Sequence, residues 1–211
     1  ALLSKAVETN ADIVQGGFVN ITGHGLVFGR TGYREGSAAE TGQTPYGMAW
    51  GKVIRSSIFA HLKFPEGYWF EDTIFAFCIA PFRPAHYLIP AYVYNYTRNP
   101  LGITLRSRKK AKAVDTVWIM RYLMADLVQK KEVHSAQVQQ LLLQHIALAW
   151  YRLSRLDETV QQAAFLVMQQ MYAAYYAPQD ICVQDSRLLA LHQALAAKNY
   201  GQYLAAAENL T

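Results

Sequence analysis

The feature that most limits the fold is a change of pattern near Arg106. Before it, short β-branched and aromatic runs are cut by glycine and proline; after it, apolar residues recur at helical spacing to the end of the chain. Val117, Met120, Met124 and Leu127 form one stripe, Val138, Leu142, His145, Ala149 and Leu153 another, and Val160, Ala164, Val167, Met171 and Tyr175 a third. Leu188, Leu191 and Leu195 suggest a shorter fourth. The pattern predicts an α/β domain over residues 1–106 and an all-α domain over residues 107–211.

Within the first domain, residues 1–10 read as a helix and residues 11–21 as a strand, whose paired Gly16 and Gly17 imply a bulge or a closely approaching backbone. Gly23 and Gly25 make a turn, and residues 26–34 return as the second strand of a hairpin. Residues 35–46 read as an exposed loop. Residues 52–62 suit a short strand followed by a helix, and Phe64-Pro65-Glu66-Gly67 breaks it. Glu71 and Asp72 then stand before an apolar run in the arrangement of a helix start, with the helix predicted over residues 71–82 and ended by Pro81 and Pro84. A carboxylate held there can accept a proton. Residues 86–89 and 92–96 read as two strands separated by Pro90, with Tyr92, Tyr94 and Tyr96 on one face.

Several of these pieces stand in an order and spacing that resemble the bacterial family-2 glycosyltransferases of the GT-A fold. The matching segments are Trp50-Gly51-Lys52, Phe64-Pro65-Glu66-Gly67, Glu71-Asp72-Thr73-Ile74-Phe75, Tyr94-Asn95-Tyr96 and Gly102-Ile103-Thr104. The resemblance implies a partial GT-A-type mixed sheet with helices, the acceptor-side half of the domain. It has no counterpart here for the family's nucleotide-binding half and its metal-binding D-x-D, so the chain is expected to be a C-terminal portion of a longer enzyme. By the same resemblance, that parent transfers a sugar from a nucleotide-sugar donor to a glycan or lipid-linked acceptor with inversion. A divalent cation, Mn or Mg, would be held by the missing half. The expected setting is cell-envelope polysaccharide assembly in the cytoplasm, at the inner face of the membrane.

The resemblance makes Asp72 the candidate base that deprotonates the acceptor hydroxyl, and Glu71 its neighbour, orienting it or touching the acceptor. Trp50, Tyr68 and Trp69 are candidates to line the acceptor site, Lys52 to pair with Glu71 or a phosphate, and Arg98 or Arg106 to contact the diphosphate. Each has a plainer alternative. The acids can simply cap a helix, the aromatics can be core, Lys52 a solvated charge, and the run Arg108, Lys109 and Lys110 a solvated linker or a membrane-surface contact.

The formal charge of +5 is too weak a bias to argue for nucleic acid, and no nucleic-acid motif is present. Cys78 and Cys182 have no metal spacing, and His24, His61, His86, His134 and His192 show none either, so no metal site is assigned to this chain. His145 lies on an apolar stripe as a core histidine. No run approaches the roughly 18 apolar residues of a membrane span. The rival reading from another class makes residues 107–211 an interaction module for homo-oligomerisation or membrane docking, with no catalysis of its own.

Overall fold

The computed structural model describes residues 1–211 except 44, 46, 61, 80, 81, 83, 84, 100, 101, 104–106, 132, 178–182, 184 and 211, and only the backbone of residues 76 and 108. It divides into a sheet unit, Ala1–Pro65 with Asp72–Gly102, and a helical unit, Glu66–Glu71 with Ile103–Thr211. The six-residue segment before Asp72 is thus grouped with the helices, whereas the change of sequence pattern had placed it with the strands.

The sheet unit carries a mixed five-stranded sheet in the order β2-β1-β5-β3, with β4 also on β1. Its strands are β1 (Ile13–Ile21), β2 (Val27–Thr31), β3 (Gly36–Ser37), β4 (Lys52–Ile54) and β5 (His86–Thr97). β1 runs parallel to β5 along one edge, and its other edge is shared by antiparallel β4 at Ile13–Gln15 and antiparallel β2 from Phe18 onward. Helix α1 (Leu2–Thr9) stops at Asn10, which adopts a left-handed conformation. The helix lays Leu2 and Ala6 against a core of Ala11, Val14 and Ile89, with Val53, Tyr87 and Val93 around them.

The glycine pair in β1 does what its position suggested. The register with β5 is irregular on both sides of Gly17, stepping from Gly16↔Ile89 to Gly17↔Tyr92 and then Phe18↔Tyr94. Pro90 and Ala91 fall in the first step, where β5 gives no paired residue to β1, so Pro90 sits inside one continuous strand. That corrects the expectation of two strands.

Two further segments differ from their sequence reading. Residues 35–46 contain β3 and a single helical turn, α2 (Ala38–Thr41), closed by a capping box in which Ser37 and Glu40 satisfy each other's backbone N–H. The predicted helix over residues 71–82 begins at Thr73 and widens into a π-helix over Phe75–Ile79. Its expected end at Pro81 and Pro84 lies outside the described residues. Behind Phe64-Pro65-Glu66-Gly67, a 3-10 turn, Ser56–Phe59, stands in place of the longer helix expected there.

The helical unit contains α3 (Asp115–Gln129), α4 (Ala136–Leu153), α5 (Glu158–Ala173), α6 (Ser186–Ala196) and α7 (Tyr200–Glu208). Side-chain oxygens of Ser135, Asp157, Asp185 and Asn199 cap the last four, each accepting from a backbone N–H of the first turn. The first, second and fourth predicted stripes are largely the buried faces, with Met120, Leu142 and Leu191 enclosed, whereas α5 buries Phe165, Met168 and Tyr172 and leaves Val160 of its predicted stripe exposed. α7 had no counterpart among the stripes, since its alanine-rich sequence offers little apolar contrast.

A buried polar chain ties three of these helices together. Gln139 of α4 donates from Nε2 to the Tyr172 hydroxyl of α5 at 2.9 Å, and that hydroxyl lies 2.7 Å from Nδ1 of His192 on α6. All three residues are at most 2% exposed. Tyr172→Phe removes the shared oxygen while leaving the ring, and is expected to lower stability by about 1–3 kcal/mol, because two buried polar groups lose a partner. Urea unfolding followed by far-UV circular dichroism checks this; a change within a few tenths of a kcal/mol would contradict it.

Candidate functional site

The site candidates in the sheet unit begin with a cluster of rings. Gly51 turns the chain with a left-handed φ of 72°, and its carbonyl accepts from the Gly16 N–H at 3.1 Å. That anchor lays Trp50 over the sheet. The indole stacks on Tyr94 at 4.5 Å and 15°, and on Tyr96 at 5.3 Å and 23°, and meets Phe18 edge-on at 4.8 Å. Trp50 remains half-buried and Tyr94 is 38% exposed. Such a surface suits the apolar face of a sugar ring, because π-faces accept C–H groups while the phenol hydroxyls stay wet.

Lys52 follows in β4, directly across from Gln15 of β1. Its ammonium sits 5.0 Å from the centre of the Phe75 ring. Burial pulls its pKa down to about 8, a charge held where water is scarce. His86, which starts β5 across from Ile13, is pulled to about 4 by burial and then by the Lys52 charge. Gln15 donates from Nε2 to the Tyr33 hydroxyl at 2.8 Å. Its Oε1 and the Nε2 of His86 are buried without a hydrogen-bond partner. This side of the sheet is therefore apolar enough to raise the cost of charge and still polar enough to hold unmet hydrogen-bonding capacity.

Both shifts have consequences for stability. His86 is neutral in the fold and titrates near 6.5 when unfolded, so its contribution is complete above pH 6.5 and is lost as pH falls toward about 4. Lys52 has the same sign: its contribution is present above pH 10.5 and lost as pH falls to about 8, so at neutral pH the charged lysine burdens the fold. Lys52→Met is expected to stabilise the sheet unit by about 2 kcal/mol at pH 7 and to raise the His86 pKa. Thermal unfolding and an NMR titration of the His86 ring check the pair of effects, and an unchanged His86 titration would contradict the link.

Asp72 opens the helical turns that carry Phe75. It is half-buried, and its backbone carbonyl accepts from the Phe75 N–H at 3.0 Å. In one unit, then, the chain brings Trp50 and Lys52 to the sheet and joins Asp72 to the ring under the Lys52 ammonium. Arg98 is exposed at the opposite end: its N–H donates to the Ile21 carbonyl at 2.8 Å. From Gln15 to Ile21 is about 20 Å of strand, which separates Arg98 from the register of Lys52.

Glu71, Tyr68 and Trp69 belong to the helical unit, and there a separate set of groups holds them. Asp115, 9% exposed, accepts from the Trp69 N–H at 2.8 Å and from Lys112 at 2.6 Å. Lys112 also donates to the Gly67 carbonyl at 2.7 Å. Between Trp69 and Glu71, Phe70 takes a left-handed φ of 66°, a strained conformation for a bulky side chain. The Arg152 guanidinium stacks on its ring at 3.8 Å while donating to Thr116 Oγ1 at 2.7 Å. Glu71 itself is exposed and Tyr68 is 42% exposed. Asp115, Lys112 and Arg152 were not singled out from sequence for this role, since partners 46 residues apart leave no local signal.

Arg106, Cys182 and His61 lie outside the described residues, as does the side chain of Arg108; Lys109 and Lys110 are exposed. His145 is half-buried, with Nδ1 3.0 Å from the Leu141 carbonyl, and burial pulls its pKa down to about 4. Among the described residues no group of three or more His, Cys, Asp or Glu is arranged to hold a metal ion. No helix among them is long and apolar enough to cross a membrane. Compared with models of known protein families, with curated proteins and with solved structures, the chain matches none.

Proposed function

We propose that the sheet unit is the acceptor-side part of a GT-A-type, family-2-like glycosyltransferase. In this reading it works with a nucleotide-binding half to move a sugar from a nucleotide-sugar to a glycan or lipid-linked acceptor in envelope polysaccharide assembly. The observation that carries the reading is the placement, in one unit, of Trp50 on Tyr94 and Tyr96, of the desolvated Lys52 beside Phe75, and of Asp72 at the head of the turn bearing that ring. The ordered motifs that contain these residues support it.

The chemistry is a displacement with inversion. The acceptor hydroxyl oxygen bonds to the anomeric carbon as the bond to the diphosphate breaks, and Asp72 takes the hydroxyl proton. Trp50 and Tyr94 hold the acceptor ring so that its hydroxyl meets that carboxylate. The Lys52 charge, scarcely solvated, favours negative charge developing near it. The reading places the divalent cation, Mn or Mg, on a D-x-D outside this chain. The described residues here do not fit a metal site, and no step runs through one.

The test is release of nucleoside diphosphate and label transfer from a panel of nucleotide-sugars, using the protein that carries this chain together with its nucleotide-binding half. Trp50→Ala is expected to raise the acceptor KM by about tenfold or more with kcat little changed, the signature of lost ground-state binding. Absence of transfer from every donor, with binding of none, defeats the proposal.

A second reading rests on a different surface. An apolar groove of about 270 Å³, lined by Val114, Val117, Trp118, Val160, Ala163 and Val167, runs along the helical unit, and Trp118 is 40% exposed beside it. It favours an interaction role for the helices. Light scattering decides: a monomer at all concentrations, indifferent to anionic vesicles, removes that reading.

A further inference from the structure

The hairpin of β1 and β2 ends in an exposed apolar tip. Leu26, Val27 and Phe28 are 69%, 51% and 54% exposed. The register of the two strands slips between Asn20 and Ile21, so Phe28 is the extra residue of a bulge between Val27, opposite Ile21, and Gly29, opposite Asn20. The turn itself is well closed: the Thr22 N–H donates to the Leu26 carbonyl at 2.8 Å, Gly25 N–H to the Thr22 carbonyl at 3.0 Å, and Leu26 N–H to Thr22 Oγ1 at 3.1 Å.

Behind the tip stand cations. Arg30 of β2 is exposed, with its guanidinium 6.0 Å from the centre of the Tyr92 ring, itself 52% exposed. Arg98 follows the end of β5, bonded through its N–H to Ile21, the residue that pairs with Val27. Residues 13–34 and 73–114 contain no Asp or Glu, so the strands that carry these arginines bring no carboxylate of their own. Apolar tip, then arginine, then an amphipathic ring is the sequence of groups matched to acyl chains, lipid phosphates and the wet interface.

We propose that this hairpin docks the sheet unit onto an anionic lipid bilayer, with Leu26, Val27 and Phe28 entering the acyl boundary and Arg30 and Arg98 meeting lipid phosphates. Docking needs neither sugar donor nor acceptor, so it stands or falls apart from the glycosyl-transfer reading. Charge complementarity chooses the occupant: an exposed apolar tip backed by two exposed arginines, in stretches without a carboxylate, fits an anionic lipid surface.

The experiment is co-sedimentation of the 211-residue chain with vesicles of equal parts phosphatidylglycerol and phosphatidylcholine, against phosphatidylcholine alone. The chain is expected to partition onto the anionic vesicles and to leave them as salt shortens the reach of the arginine charges. Leu26→Ser with Phe28→Ser is expected to weaken partitioning at least about tenfold, and Arg30→Gln with Arg98→Gln about fivefold per arginine. A Val27→Trp reporter is expected to shift its emission to the blue when anionic vesicles are added. No sedimentation, equal sedimentation with neutral vesicles, an unshifted reporter, or wild-type partitioning by both folded variants overturns the proposal. So does self-association that the tip variant abolishes without vesicle binding, which assigns the surface to a second copy instead.

Discussion

Asparagine at position 72 is expected to slow sugar transfer by about 10²–10⁴-fold, the range associated with losing a positioned proton acceptor, while acceptor binding stays near its original strength. The substitution keeps the side chain's size and leaves untouched the backbone carbonyl that closes the first turn on Phe75. The loss should therefore fall on kcat and, in equal measure, on kcat/KM, as for an interaction made only in the transition state. Steady-state transfer assays on the protein that carries this chain with its nucleotide-binding half check it. Near-normal transfer with unchanged acceptor affinity removes Asp72 from the chemistry and leaves it as the residue that starts a turn.

The second large effect concerns the sheet. A methyl group at Gly17 would stand 2.6 Å from the Thr31 carbonyl oxygen and 3.1 Å from a Tyr92 ring carbon. Neither neighbour gives way easily, because β1 is bonded along both edges and the near oxygen belongs to the backbone of β2. Gly17→Ala is expected to cost about 3 kcal/mol or more of sheet-unit stability, the upper part of the range for overpacking. Gly47→Ala is the control, since nothing lies within 4 Å of the added group. Denaturant midpoints for the two variants give the comparison; a Gly17→Ala protein within about 0.5 kcal/mol of the parent would mean that the strands move apart freely.

Where local chemistry determined structure, the sequence was readable. Helix α1 stops at Asn10, the Gly16-Gly17 pair marks the irregular register, the hairpin turns through Gly23 to Gly25, and the long apolar stripes become α3, α4 and α5. What escaped depended on partners far along the chain. Pro90 argues for a break until the register with β1 shows that its missing N–H falls where β5 steps past its neighbour. Thr73 to Ile79 carries the right residues for a helix start, yet its backbone widens into a π-helix over Phe75–Ile79, which no local pattern announces. Of the site, the Trp50-Gly51-Lys52 segment was legible, but the expected single face of Tyr92, Tyr94 and Tyr96 was not: the step between Gly17 and Phe18 leaves Tyr94 and Tyr96 on the Trp50 face and turns Tyr92 to the other, beside Arg30. The stacking of Trp50 on two tyrosines, the desolvation of Lys52 beside Phe75, and the hold of Asp115 and Arg152 on residues 66–71 were not, because each needs a tertiary neighbour that spacing cannot supply.

Since β2, β4 and β5 all pair with β1, that strand works as a stiff rod between two distant fittings. At one end it grips the Trp50 loop through the bond from Gly16 to Gly51, and at the other it grips Arg98 through Ile21. Both the Trp50 loop and the chain after β5 are thus fastened to one strand, so pulling β1 out of the sheet would release the indole's anchor and Arg98 together.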